Sequence, residues 1–326
     1  MTETTPAVAE SHARLQHFPI SWFAMIMGLT GLTLAWHKAE GILHLAIAPS
    51  PWLLMLATGS FALLAALYTV KVIRYRAAAN KEWAHPIKIN FVPAVSISLI
   101  LLSIAWLPVS APYSKLLWMT GTALHLVLTL YVMSQWMHHS KFEITHLNPA
   151  WFIPVVGNIL VPIAGINHAP LEVSWFFFSI GLVFWPALLT IIMYRVIFHA
   201  SLPERLMPTL FILIAPPAIG FISYVKMTGN VDAFAHVLYH AALFFTLLLF
   251  AQIRQFANLK FFLSWWAYSF PLTAITIATL VMFENTGSLF FLRLSGILLG
   301  IASVVIGGLF VRTLVAVKRR EICVED

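Results

Sequence analysis

Thirteen histidines among 326 residues raise metal chemistry first. His236 and His240 are four apart, a spacing that puts both rings on one helix face and suits metal ligation. His138, His139 and His146 fall in one link, and His125 is nearly alone in its apolar stretch. A haem- or metal-bearing enzyme needs a facing pair of buried histidines or an acidic partner. Neither stands out, so the histidines read as interfacial or packing residues, and neither a metal site nor a cofactor is expected. Cys323, the single cysteine, permits no intramolecular disulfide and reads as an ordinary tail thiol. Asp232 and Lys226 are near enough to pair across one loop, although solvated loop charges are the simpler reading. What remains is uncharged: Asn90, Ser96, Ser98 and Ser103; Asn158; then Ser264, Ser269, Thr273, Thr276 and Thr279. Hydroxyls and amides of this kind admit an ion without holding it tightly, the balance that conduction requires. A proton-coupled pump instead keeps buried Asp, Glu or His relays.

The elements that position these groups follow from composition. Apolar residues make up 60% of the chain and charged residues 10%, against about 25% charged in soluble domains. Such a chain covers its surface with lipid, which predicts an all-α polytopic membrane protein. Stretches of roughly 20 mostly apolar residues, enough to cross ~30 Å of hydrocarbon, run over Phe18–Trp36, Pro51–Ile73, Ile89–Trp106, Ser114–Trp136, Ala150–Ile166, Val173–Arg195, Pro208–Val225, Asp232–Gln252, Phe261–Phe283 and Ser288–Val315. The organisation expected is a short tail over 1–17, one ten-span domain over 18–315 and a second tail over 316–326. The first 16 residues are polar, with Glu3, Glu10 and Arg14, and do not resemble a signal peptide. Trp22, Trp52, Trp83, Trp118 and Trp151 sit near span ends as interfacial anchors. The net charge of +7 is distributed unevenly. With the N-terminus inside, Lys38, Lys115, Lys226 and Arg293 lie opposite it, and the other 15 of the 19 Lys and Arg, Lys71, Arg195 and Arg312 among them, lie on its own side. That asymmetry places both termini in the cytoplasm of a multi-pass protein of the cell inner membrane. It also explains the cations without nucleic acid as a partner.

Prolines divide the spans. Pro93, Pro154 with Pro162, Pro216 with Pro217, and Pro271 lie inside the third, fifth, seventh and ninth; the first has Pro19 at its start and Gly28 and Gly31 within. Among even spans only the sixth has an internal proline, Pro186. Groups freed by proline must be satisfied inside protein or along a water-filled cavity. The expectation is five hairpins, each with a bent inner member facing a central pore and a straighter outer member facing lipid. Gly28, Pro93, Pro154, Asn158, Pro162, Pro216, Pro217, Ser269, Pro271 and Thr273 are the candidate pore-lining or kink residues.

Span nine carries the sharpest candidate. Phe270 lies within roughly 3 Å of helix rise from the span's midpoint, and Pro271 follows it. A phenyl ring beside a kink at mid-membrane closes a narrow pore by dewetting. With 25 Phe in the chain, an ordinary packing or lipid-facing role remains the competing reading.

The run Trp265-Trp266-Ala267-Tyr268-Ser269-Phe270-Pro271 resembles the ninth-helix motif of the tellurite-resistance/dicarboxylate transporter family, which includes bacterial TehA and the slow-type anion channels of plant guard cells. Phe18-Pro19 through Gly28-Leu29 and Leu34-Ala35-Trp36, His85-Pro86, Asn148-Pro149 through Pro154, and Ile214-Ala215-Pro216 are similar to other parts of the family in the same order. The resemblance covers about Phe18 to Val315. It implies a quasi-fivefold arrangement of hairpins, a pore plugged by Phe270, and homotrimers with one pore per protomer. Family functions include channels for chloride and nitrate and carriers of malate-like dicarboxylates, sulfite or tellurite-type oxyanions. The long kinase-regulated tails of plant members have no counterpart in tails of about 17 and 10 residues.

Three functions compete. A gated channel or uniporter for small monovalent anions fits the uncharged interior. A proton-coupled or facilitated carrier of dicarboxylate, sulfite or tellurite-type oxyanions needs a binding cation or titrating group, and Arg195, Arg312 and Lys226 lie only near span ends. A metal-bearing enzyme has the weakest support.

Overall fold

Apolar runs of this length satisfy their backbone polar groups in lipid only as helices or closed barrels. The computed structural model describes residues 14–44 and 47–323, and among them no strand occurs. Ten helices among these residues are long and apolar enough to cross a membrane: α1 (Ile20–Leu43), α2 (Ser50–Arg74), α3 (Lys88–Trp106), α4 (Ala111–His138), α5 (Pro149–His168), α6 (Leu171–Phe198), α7 (Met207–Thr228), α8 (Ala233–Ala251), α9 (Leu263–Thr286) and α10 (Leu289–Lys318). The chain is a multi-pass, all-helical membrane protein. Two short helices in the links, Arg76–Ala84 and Ile253–Ala257, lie outside what hydropathy reveals.

Burial separates the spans by parity. In odd spans 72–83% of an apolar 18-residue stretch is buried; in even spans the figure is 22–39%. Consecutive spans pack against each other, α1 on α2, α3 on α4, α7 on α8 and α9 on α10, while α1 also packs on α3 and α9. The even spans turn Leu63, Leu116, Val183, Leu247 and Val304 outward, each at least 60% exposed. Such a surface belongs against hydrocarbon or another protein, not water.

Every odd span contains a 3₁₀ stretch where sequence leads one to expect a simple kink. These stretches are Ile20–Trp22, Lys88–Phe91, Pro149–Trp151 with Gly157–Leu160, Met207–Ile214, and Leu263–Tyr268. Proline explains the position of the change. Pro93 immediately precedes the α-helical part Ala94–Trp106, Pro162 is the second residue of Val161–His168, and Pro216 is the second of Ala215–Thr228. At the start of an α-helix the missing N–H costs nothing, because that donor has no intrahelical partner anyway. Pro271 follows the same logic as the third residue of Ser269–Thr286. Pro186 does not: it stays inside the continuous helix Leu171–Phe198.

Span α1 runs to Leu43, well past the expected limit at Trp36. Its late charges have partners. Lys38 Nζ reaches the two carboxylate oxygens of Glu284 at 2.6 and 2.5 Å, and Glu40 accepts from the Ser50 amide at 2.8 Å and hydroxyl at 2.6 Å.

At the opposite membrane face, Lys71, one of the cations counted for topology, is buried in an ion pair. It is 3% exposed and pairs with Glu82, 6% exposed, at 2.7 Å. Lys71 also donates to Phe18 O at 2.7 Å; Glu82 accepts from the Ile20 amide at 2.7 Å and the Tyr68 hydroxyl at 3.1 Å. Two of the three Lys71 protons and both carboxylate oxygens of Glu82 are thereby engaged, and such added hydrogen bonds are the condition under which a buried ion pair is tolerated. The cluster ties the start of α1 to the end of α2 and to the link helix. Nearby, Arg14 donates to Val317 O and Ile322 O, so the two ends of the described chain meet. Cys323 packs partly buried against the core, and burial pushes its thiol above the ordinary range. Most of the 1–17 tail lies outside the described residues.

Candidate functional site

Span α9 is positioned by close approach to α1. A Cβ on Gly28 would fall 2.1 Å from Ser269 Oγ, and one on Gly31 would fall 2.2 Å from Thr273 Oγ1 and 3.4 Å from Phe270 Cδ2. Only glycine lets the two backbones come this near. Ser269 donates to Trp266 O at 2.6 Å and Thr273 to Phe270 O at 2.8 Å, both on their own helix. Ser96 and Ser98 likewise donate to Pro93 O and Ala94 O, and Thr276 and Thr279 to Leu272 O and Ile275 O. These hydroxyls therefore face carbonyls and neighbouring helices, whereas the sequence reading turns them toward a passage.

Phe270 is 8% exposed and borders a cavity of about 50 Å³, room for no more than a few waters. All five odd spans contribute to its wall: Met27 from α1, Ile97 from α3, Phe152 and Gly157 from α5, Ile212 and Pro216 from α7, and Phe270 from α9. Among the described residues no charged side chain borders it. Of the candidate residues, the cavity brings Phe270 and Pro216 together. Gly28, Ser269 and Thr273 lie in the α1–α9 contact, and Pro93, Pro154, Pro162, Pro217 and Pro271 shape the spans without bordering the cavity. Asn158 is fully buried behind it, donating to Val155 O at 2.8 Å and Thr129 Oγ1 at 3.0 Å. The apolar members of the wall, Met27, Ile97, Phe152 and Ile212, carry no signal in the sequence that distinguishes them from other core residues.

Two of the changes from 3₁₀ to α geometry meet at this wall. Ala215 and Pro216 open the α-helical part of α7, and Phe270 is the second residue of the α-helical part of α9. The amides at these joints are already bonded, Ala215 N–H to Ile212 O and Ser269 N–H to Trp266 O, so the backbone ladder continues through them.

The other chemistry-bearing groups are dispersed. His236 and His240 stack at 5.7 Å on the exposed face of α8, with His240 Nδ1 at 2.8 Å from His236 O. His125 is fully buried, its Nδ1 2.9 Å from Ser96 Oγ. Among the described residues no three of His, Cys, Asp and Glu converge in a metal-binding group. Among them too, Asp232 accepts from the Tyr224 hydroxyl at 2.6 Å and from the Ala235 amide at 3.0 Å rather than pairing with Lys226. The Tyr224 bond, then the Ala235 amide at the start of α8, hold its carboxyl below the usual carboxylate range. Arg195 is 3% exposed and donates to Ala200 O, away from the cavity.

The sequence matches the SLAC1 family model, described as voltage-dependent anion channel, over residues 17–314. It is 29% identical over 308 residues to the S-type anion channel SLAH3 of Arabidopsis thaliana, covering 92% of this chain and 48% of that protein. To the guard cell S-type anion channel SLAC1 of the same plant it is 28% identical, covering 82% and 50%. To the tellurite resistance protein TehA homolog of Haemophilus influenzae it is 25% identical, covering 79% of each. The chain spans about half the length of the plant relatives it matches. With the family model aligned to nearly the whole ten-span region, the chain belongs to the SLAC1 family of voltage-dependent anion channels.

Proposed function

We propose that this chain is a gated channel for small monovalent anions, chloride or nitrate, conducting along the axis of the odd spans and closed by the ring of Phe270. One observation carries the reading: Phe270 meets residues of all five buried spans at a single small uncharged cavity. An apolar constriction of this kind blocks ions because the pore does not stay wet. With no charged binding group beside the cavity, preference follows dehydration cost, so weakly hydrated anions pass more readily. Membership of the anion-channel family supports the same reading.

The lipid-facing even spans and the concentration of Lys and Arg on one face support a location in the cell inner membrane with both termini in the cytoplasm. The assembly proposed is a homotrimer with one pore per protomer.

Ion-substitution electrophysiology of the wild type beside Phe270→Ala tests this proposal. Each ~1.4 kcal/mol of barrier removed raises the rate about tenfold, and an increase in anion current of at least that size is expected. Unchanged currents at equal surface expression would remove Phe270 as the gate. Reversal potentials that follow the proton gradient would replace the channel with a coupled carrier.

A further inference from the structure

A second cavity, unlike the first, opens on the lipid-facing side between α8 and α10. It holds about 530 Å³, within the roughly 300–1,000 Å³ of ordinary ligand pockets. Phe250 and Ile253 line one side, Ile301 and Val305 the other, and Tyr268 and Leu272 of α9 lie between them. Its rim opens outward at Ile253, 53% exposed, and Val304, 76% exposed. The length of the trench is apolar, and polar groups gather at one end.

Among the described residues, donor atoms of those polar groups lack partners. Tyr268 is 8% exposed, yet its hydroxyl has no hydrogen-bond partner, and neither has Trp265 Nε1. Arg312 borders the same cavity about 9 Å of helix rise before Lys318. Its guanidinium lies 4.6 Å from the Phe261 ring centroid and its Nη2 is 2.6 Å from Glu321 Oε2, but Nη1 is buried without a partner. Buried donors left unmade are costly. Indole N–H, phenol O–H and guanidinium N–H all donate, so the chemistry they lack is an acceptor, and beside Arg312 an anionic one. Arg254 and Lys260 add positive charge on the same membrane face.

We infer that this groove binds one acidic phospholipid, its phosphate held by Arg312, Tyr268 and Trp265 and one acyl chain lying along Leu272, Ile301 and Val305. A polar head beside an apolar tail matches the groove's two ends, and the opening faces the phase in which such a molecule resides. The site does not depend on the anion-channel reading, because none of these residues borders the Phe270 cavity.

Native mass spectrometry of delipidated protein tests the site, with dioleoylphosphatidylglycerol and dioleoylphosphatidylcholine as probes. Wild type should retain one phosphatidylglycerol per chain in preference to phosphatidylcholine. Gly308 borders the groove, and a Cβ there meets nothing within 4 Å, so Gly308→Phe fills the trench without disturbing helix packing. It should weaken phosphatidylglycerol retention about tenfold or more, ~1.4 kcal/mol, with an unchanged circular dichroism spectrum. Arg312→Gln should still bind lipid but lose the preference for phosphatidylglycerol. Equal retention by wild type and Gly308→Phe overturns the proposal, as does a wild type without headgroup preference. It is also overturned if Gly308→Phe splits an oligomer while lipid retention is unchanged, since the groove then receives a second copy of the chain.

Discussion

The two flanks of α9 are packed in opposite ways. Toward α1 there is no free space: Gly28 and Gly31 stand where any Cβ would fall within 2.2 Å of a side-chain oxygen of α9. Toward α8 and α10 there is a groove of about 530 Å³. Over Trp265–Leu272 the span that carries Phe270 is therefore pressed against one neighbour and loosely bordered on its other side; farther along it packs on α10. Close-packed interfaces transmit displacement, whereas a void absorbs it. The contrast gives Phe270 a fixed reference on α1 and leaves the α8–α10 side as the direction in which α9 has room to shift.

Three glycine substitutions and one compensating change test the contrast by thermal unfolding in detergent. Gly28→Ala should have the largest effect, near the top of the ~1–3 kcal/mol range for overpacking, because the new methyl meets Ser269 Cβ at 2.5 Å as well as its Oγ. Neutrality of this variant would break the comparison outright. Gly31→Ala should cost less, about 1–2 kcal/mol, since Thr273 Oγ1 is the chief obstacle and Thr273 Cβ is 3.1 Å away. Thr273→Ala in the same chain should restore most of that loss, with a coupling above ~0.5 kcal/mol; additive losses would show that the contact is not the cause. Gly308→Ala, on the open flank, should change stability by no more than ~0.5 kcal/mol. Any gain there comes from helix propensity, in which Ala exceeds Gly.

The spans were legible because each is a long uncharged run, and lipid leaves such a run few choices of backbone. Their edges were less so. Hydropathy ends α1 at Trp36, but the helix continues because Lys38 and Glu40 have partners in Glu284 and Ser50, residues distant in sequence or on the next helix. Proline marked where each odd span breaks but not what precedes the break. A missing N–H says only that the α ladder cannot run through, so the 3₁₀ geometry of Met207–Ile214 and Leu263–Tyr268 had no sequence signature. Lys71 read as a topology charge because its partner Glu82 sits on a link helix that hydropathy cannot see. Phe270 stood out from 25 phenylalanines by motif rather than by periodicity. The side chains around it are ordinary core residues, and only the folded arrangement makes Met27, Ile97 and Ile212 its neighbours. Ser269 and Thr273 were legible as hydroxyls but not in their orientation, which the glycines of α1 impose.

The Lys71–Glu82 cluster has a mechanical consequence. Because Phe18 O and the Ile20 amide are both fastened to it, tension applied to the chain ahead of α1 is borne by a buried ion pair before it reaches Gly28. A tag or tethered domain attached at that end would pull on an anchor set into α2 and its link helix, leaving the seam that seats Phe270 insulated from the load.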